Sequence, residues 1–294
     1  MAVSSFWVDS MGAEIRFTPL AHRTRSIVVG TGMPIILLHG ITGHAETWIR
    51  NVTPLAGEGQ LHALDMLGHG LTDKPDLDYS IAVLGQHVLD YMDHWNLRSA
   101  VLVGQSLGGW VAGWIAINHP ERVAAYVCVT GAGLELTEDA ATLTRQIGAK
   151  VGAATTKAME TPTRESVRTR LEWLMYDKAV VTDELVDVRL RIYADPAFMA
   201  ISGKMVASLT GAGGGAWALT RPRLAQVLQP SLILWTRQNP TMPWEVGKLA
   251  SEIIPNASWY LMENAGHWPQ FEKADEFNSV LRGFLKAVNE TFEG

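Results

Sequence analysis

The chain has 294 residues, 47% of them hydrophobic and 18% charged, with a formal net charge of −6. This suits a globular protein with a sizeable core, either one large domain with an insertion or two small domains. The acidic balance argues against nucleic acid or an anionic membrane as a general partner, and no apolar run approaches the roughly 18 residues that span a bilayer.

In chain order, MAVSSFWVDSMGAEIRF lacks a basic start followed by an apolar run, so no signal peptide is expected. A strand-like pattern begins just after Met11, and RTRSIVVG (23–30) reads as an antiparallel hairpin strand at the edge of a sheet. PIILLHG (34–40), LHALDM (61–66), AVLVGQ (100–105), AAYVCVT (124–130), SLILWT (231–236) and SWYLMEN (258–264) read as further strands. Their Val, Ile and Leu runs suit a parallel sheet covered on both faces. Residues 80–95, 107–118, 244–253 and 271–290 read as helices, and the alternation predicts an α/β fold. Cys128, the single cysteine, is expected to be a buried, reduced strand residue, which points to a cytoplasmic setting.

The rhythm breaks after Gly131. From Gly133 to Leu219 no strand is predicted, whereas ESVRTRLEWLMYDK and TDELVDVRLRIYA have helical periodicity. Residues 211–215 form a glycine-rich joint. Residues 133–219 therefore read as a helical cap inserted into a core formed by 1–132 and 220–294.

VGQSLGG (103–109) follows the strand AVLVGQ and opens the helix LGGWVAGWIAI. A serine on a sharp strand-to-helix turn takes a strained backbone, and glycines two positions away relieve the crowding. Ser106 is thus the candidate nucleophile, in preference to an incidental serine in a glycine turn. The helix start sets the Leu107 N–H beside any developing oxyanion.

With these motifs the sequence resembles the α/β-hydrolase family over nearly its whole length. The resemblance implies a mostly parallel sheet of about eight strands with the helical cap inserted. His39-Gly40 matches the family's oxyanion loop, which would make the Ile41 N–H the second oxyanion donor. DMLGHGLTDKP (65–75) matches the loop after the next strand. NAGHWPQFEKADEFN (264–278) matches the segment carrying the catalytic histidine, making His267 the general-base candidate. His39 and His69 would shape loops, and His44 either lines the pocket or packs behind it.

The family's usual triad acid is absent. Where the pattern expects aspartate after the penultimate strand, this chain reads WTRQNP, with Asn239 at the acid's position. The alternative position at the end of the strand before the cap falls at about Thr130. Three readings stay open: Asn239 orients the histidine, Glu135, Glu138 or Asp139 at the cap entrance substitutes, or Asn239 is an engineered replacement of an aspartate.

Within the superfamily the chain is most similar to meta-cleavage product hydrolases, which cleave a carbon–carbon bond in products of aromatic-ring fission. GHWPQFEKADEFN and LMYDKAVVTDELVDVRLRI carry this likeness. It implies that Arg189 binds a substrate carboxylate and that Trp268 lines the pocket. The chain departs from that family where Ile41-Thr42 replaces a glycine-rich oxyanion loop. A carboxylesterase or lactonase on the same scaffold is therefore the alternative, and a non-hydrolytic ligand-binding descendant is a second. The expected partner is a small organic, carboxylate-bearing substrate, and a homo-oligomer is compatible with the sequence. No histidine spacing suggests a metal, and acyl transfer requires no cofactor.

Overall fold

The computed structural model describes residues 5–210 and 215–293. Most of the predicted glycine joint, residues 211–214, lies outside them. Eight strands form one sheet: β1 (Glu14–Thr18), β2 (Thr24–Val29), β3 (Pro34–Leu38), β4 (Gln60–Leu64), β5 (Ala100–Gln105), β6 (Val123–Val129), β9 (Ser231–Thr236) and β10 (Ala257–Met262). Their order is β1-β2-β4-β3-β5-β6-β9-β10. From β4 to β10 every pairing is parallel, and β1 and β2 join antiparallel at one side. The protein has the α/β-hydrolase fold.

Residues 23–30 form the expected hairpin strand, but not at the edge. β2 lies between β1 and β4, and β1 is the edge strand. β2 is buried over Thr24–Val28, whereas Ile15 and Phe17 of β1 are exposed. The strand-like pattern after Met11 is β1, which extends the sheet beyond β2 with apolar residues that face outward.

The central strands are buried on both faces, as parallel strands covered by helices must be. Ile35, Ile36, Leu37 and Leu38 of β3 and Val101, Leu102 and Val103 of β5 have no exposed surface. Helices α1 (Ile81–His94), α2 (Leu107–Asn118), α7 (Trp244–Ile253) and α8 (Ala274–Glu293) belong to the strand–helix alternation. Ser80 caps α1 by accepting from the Val83 N–H. α2 is apolar on nearly all sides and largely buried. Cys128 is buried in β6 as a free thiol.

Between β6 and β9 lie α3 (Glu138–Glu160), α4 (Arg164–Leu174), α5 (Asp183–Tyr193) and α6 (Pro196–Thr210). No strand is expected from the sequence at the neck of this segment, yet two short ones form there. β7 (Leu134–Glu135) and β8 (Leu219–Thr220) pair in parallel there and bring its entry and exit together. Two residues are too short to show an alternating pattern.

Candidate active site

In an open α/β sheet the crevice lies beyond the carboxyl ends of the central strands. Here β3 leads to His39-Gly40-Ile41, β5 to Ser106, β6 to Thr130, and β9 to the loop bearing Asn239. Helices α3–α6 supply the opposite wall, and between them is a cavity of about 530 Å³. Ile41, Ser106, Leu107, Arg189, His267 and Trp268 all line it.

Ser106 occupies the turn between β5 and α2 with φ 54° and ψ −114°. That left-handed φ is costly for a residue with a Cβ, so the surroundings must hold it. Its N–H donates to Val129 O at 3.0 Å and its carbonyl accepts from Trp110 N and Ala132 N. The flanking glycines are required by space. A Cβ on Gly104 would lie 2.1 Å from Gly108 O, and one on Gly108 would lie 2.2 Å from Leu38 O. Leu107 is the first residue of α2, where an N–H has no intrahelical acceptor. Gly43 N closes the loop after β3 onto Gly40 O, while Ile41 N donates to no acceptor among the described residues. Both amides therefore have free hydrogen-bonding capacity.

The loop after β3 departs from glycine where the backbone favours it. Thr42 has φ 55°, a strained conformation for a β-branched residue. Its hydroxyl bonds the Tyr193 hydroxyl at 2.9 Å, and its carbonyl accepts from Arg189 Nη1. Two side chains of α5 thus hold the turn. Beneath it, Asp65 accepts from Ala45 N at 2.6 Å, from Leu71 N at 2.8 Å and from Arg25 Nη1 at 3.1 Å. Glu46 accepts from His44 Nδ1 at 2.8 Å and from Arg25. His44 belongs to this buried support and is absent from the cavity wall. His39 and His69 are likewise buried, their Nδ1 atoms bonded to Gly40 O and Leu67 O.

The His267 backbone is fixed on several sides. Its N–H donates to Leu174 O at 2.7 Å. Its carbonyl accepts from Gln105 Nε2 at 3.0 Å and from Thr130 Oγ1 at 2.9 Å. Thr130 thus reaches the histidine backbone. A Cβ on Gly266 would lie 2.4 Å from Leu174 O, so glycine is needed for the loop to meet the end of α4. Glu272, which is buried, accepts from Gly266 N, Tyr176 N and Asp177 N, tying this loop to the helical segment.

Asn239 Oδ1 lies 3.0 Å from His267 Nδ1. The same oxygen accepts from Thr241 N at 3.1 Å and Thr241 Oγ1 at 2.9 Å, and Thr241 Oγ1 is itself 2.9 Å from His267 Nδ1. A backbone N–H can only donate, so Thr241 N requires the amide oxygen, rather than the NH2, to face this way. The Nδ1–H tautomer is then favoured, which leaves Nε2 as the basic nitrogen. Asn239 Nδ2 is buried with no partner. No carboxylate among the described residues bonds the ring: Glu138 and Asp139 are exposed, and Glu135 reaches the cavity wall without bonding it. Burial, and then the positive charge of Arg170, lower the imidazole pKa to about 3, so it rests neutral.

Arg189 is 2% exposed on α5. Its guanidinium lies 5.1 Å from the centre of the Trp268 ring and 5.6 Å from that of Tyr193. Nη1 bonds Thr42 O, while Nε and Nη2 are buried without partners. Trp268 is buried and packs edge-on against Phe271. Sequence reasoning missed Gln105, Thr241, Tyr193, Glu272 and Arg170. Arg170 did leave a signal, because Val167, Arg170, Leu171 and Leu174 share one buried helical face.

No group of three or more His, Cys, Asp or Glu is placed to hold a metal ion among the described residues. In the same residues no helix is long and apolar enough to cross a membrane.

A family model described as the alpha/beta hydrolase family matches residues 35–280. The chain belongs to that family. The 2-hydroxymuconate semialdehyde hydrolase of Pseudomonas sp. (strain CF600) is 28% identical over 260 residues, covering 87% of this chain and 88% of that protein. A 2-hydroxy-6-oxononadienedioate/2-hydroxy-6-oxononatrienedioate hydrolase of Paraburkholderia phymatum is 30% identical over 257 residues, covering 85% and 86%. The solved structure of a meta-cleavage product hydrolase from Pseudomonas fluorescens is 27% identical, with a TM-score of 0.78 over 91% of this chain and 95% of that one. The chain is thus an α/β hydrolase close to the meta-cleavage product hydrolases.

Proposed function

We propose that this protein is a serine hydrolase that cleaves a carbon–carbon bond in a carboxylate-bearing dienoate from aromatic-ring fission. Residues 133–219 act as a cap over a core formed by 1–132 and 220–294. The observation that carries this reading is Arg189, buried on the wall shared by Ser106 and His267, with two N–H-bearing nitrogens lacking an acceptor. A substrate carboxylate supplies that acceptor and gains a charge-assisted pair. Trp268 stacks beneath the guanidinium and walls the same end of the pocket.

In this mechanism the substrate dienol first becomes a ketone, with His267 moving the protons. His267 Nε2 takes the Ser106 hydroxyl proton as Ser106 acts on the distal carbonyl carbon, and the Ile41 and Leu107 amides hold the oxyanion. The carbon–carbon bond breaks, its electron pair stays with the dienoate fragment, and that carbon takes up a proton. Water then releases the acyl group from Ser106 as a carboxylic acid.

A carboxylesterase or lactonase is the second reading. It is supported by Thr42, whose side chain occupies the turn where the carbon–carbon hydrolases carry glycine. A ligand-binding descendant is supported by the neutral Asn239 beside His267. One assay separates the three: a ring-fission dienoate is compared with a panel of aryl esters and lactones. The proposal expects the dienoate to be preferred and Arg189→Met to remove that preference. Turnover confined to esters or lactones supports the second reading, and no turnover at all supports the binder.

A further inference from the structure

Arg170 projects from α4 onto the same cavity wall and is only 9% exposed. Nη2 donates to Thr155 Oγ1 at 3.2 Å, and the guanidinium lies 4.8 Å from the centre of the Trp173 ring. Nη1 is buried with no acceptor among the described residues. The titratable side chains on the wall are Glu135, Arg170, Arg189, Tyr193 and His267. Neither arginine pairs with Glu135 or with any other carboxylate among the described residues, so the wall presents two cations without a counter-ion there.

That arrangement is costly to the protein by itself. A buried charge without a counter-ion loses hydration, and a single hydrogen bond with a ring contact offsets only part of that loss. Burial pushes the Arg170 guanidinium down to about 10, with Tyr193 opposing and Arg189 reinforcing the shift. It stays cationic at neutral pH. An apolar residue would complete the buried face formed by Val167, Leu171 and Leu174 at less cost. Arg189 already provides for one carboxylate, so Arg170 is in excess for a substrate with a single negative charge.

We propose that Arg170 is a second anion-binding residue and that the substrate is a dicarboxylate, held by Arg189 at one carboxylate and by Arg170 at the other. This rests on the reading of the cavity as the hydrolase's substrate site and narrows the substrate class. Arg170 sets specificity and takes no part in bond making.

The test is calorimetric and requires no turnover. Dicarboxylates from succinate to suberate are titrated into the wild-type protein at fixed ionic strength, each beside the monocarboxylate of equal length. The best dicarboxylate is expected to bind about tenfold or more tightly than its monocarboxylate. Arg170→Met removes that advantage and leaves monocarboxylate binding in place. Arg170→Gln serves the same purpose if the methionine variant does not fold. Equal binding of the paired acids to wild type overturns the proposal, as does a dicarboxylate advantage that survives in the variant. Failure of any dicarboxylate to bind at millimolar concentration also overturns it. Failure to hydrolyse a dienoate counts only against the carbon–carbon reaction, because these acids are not cleaved.

Discussion

Asn239 collects three hydrogen bonds on one oxygen and leaves its amide nitrogen buried without a partner. An aspartate would keep all three bonds and replace the orphaned NH2 with a second acceptor. It would also offset the charge formed when His267 takes a proton, a charge that Arg170 opposes. In a serine protease, exchanging the triad aspartate for asparagine costs about 10⁴ in kcat, largely through the wrong tautomer. Thr241 secures the tautomer here, so the missing element is charge. Asn239→Asp is therefore expected to raise kcat by about 10²-fold, less than that full penalty. Unchanged or reduced steady-state turnover in the variant contradicts this. The position of Asn239 was legible because WTRQNP keeps the strand and proline context. Thr241 was not, because a threonine two residues further on carries no pattern of its own. Arg170 and Arg189 each break an apolar helical face, and the charge on a buried stripe was the signal available for both.

At the scale of elements, the histidine loop is held by the helical segment as much as by the sheet. Glu272 alone accepts from three backbone N–H groups on two separate stretches of chain. Removing it leaves buried donors without a partner, which costs about 1–3 kcal/mol for each group affected. Glu272→Ala is expected to lower unfolding stability by about 3 kcal/mol and to reduce kcat, because Gly266 and His267 lose their anchor. Urea unfolding and steady-state rates measured together test this, and a variant with wild-type values for both contradicts it. The strand–helix alternation was readable because buried parallel strands are continuous apolar runs. The strand-like pattern after Met11 marked β1, but its solvent-facing apolar side chains hid that it is the edge strand, and the neck strands were not readable because two residues carry no period.

Across the whole molecule, burial keeps several histidines neutral. His39, His69, His87 and His267 are lowered to about 3 and His62 to about 4, with desolvation the largest cause in each. In the unfolded chain the same groups take up protons below about pH 6.5. The unfolded state then binds more protons than the native state, so stability is present above pH 6.5 and is lost as pH falls from there toward 3–4. Each histidine contributes a slope of up to about 1.4 kcal/mol per pH unit. The urea midpoint should fall steeply between pH 7 and pH 5, and a flat profile over that range contradicts the buried, neutral assignment.

The central claim is that the turn after β5 presents Ser106 as a nucleophile activated by His267 acting as general base. Mass spectrometry after exposure to an aryl fluorophosphonate measures this without choosing a substrate. The account predicts one covalent adduct, on the peptide carrying Ser106, absent from Ser106→Ala and formed at least about 100-fold more slowly in His267→Ala, as expected for loss of a general base. An unmodified wild-type protein, or an adduct that persists in Ser106→Ala, contradicts it.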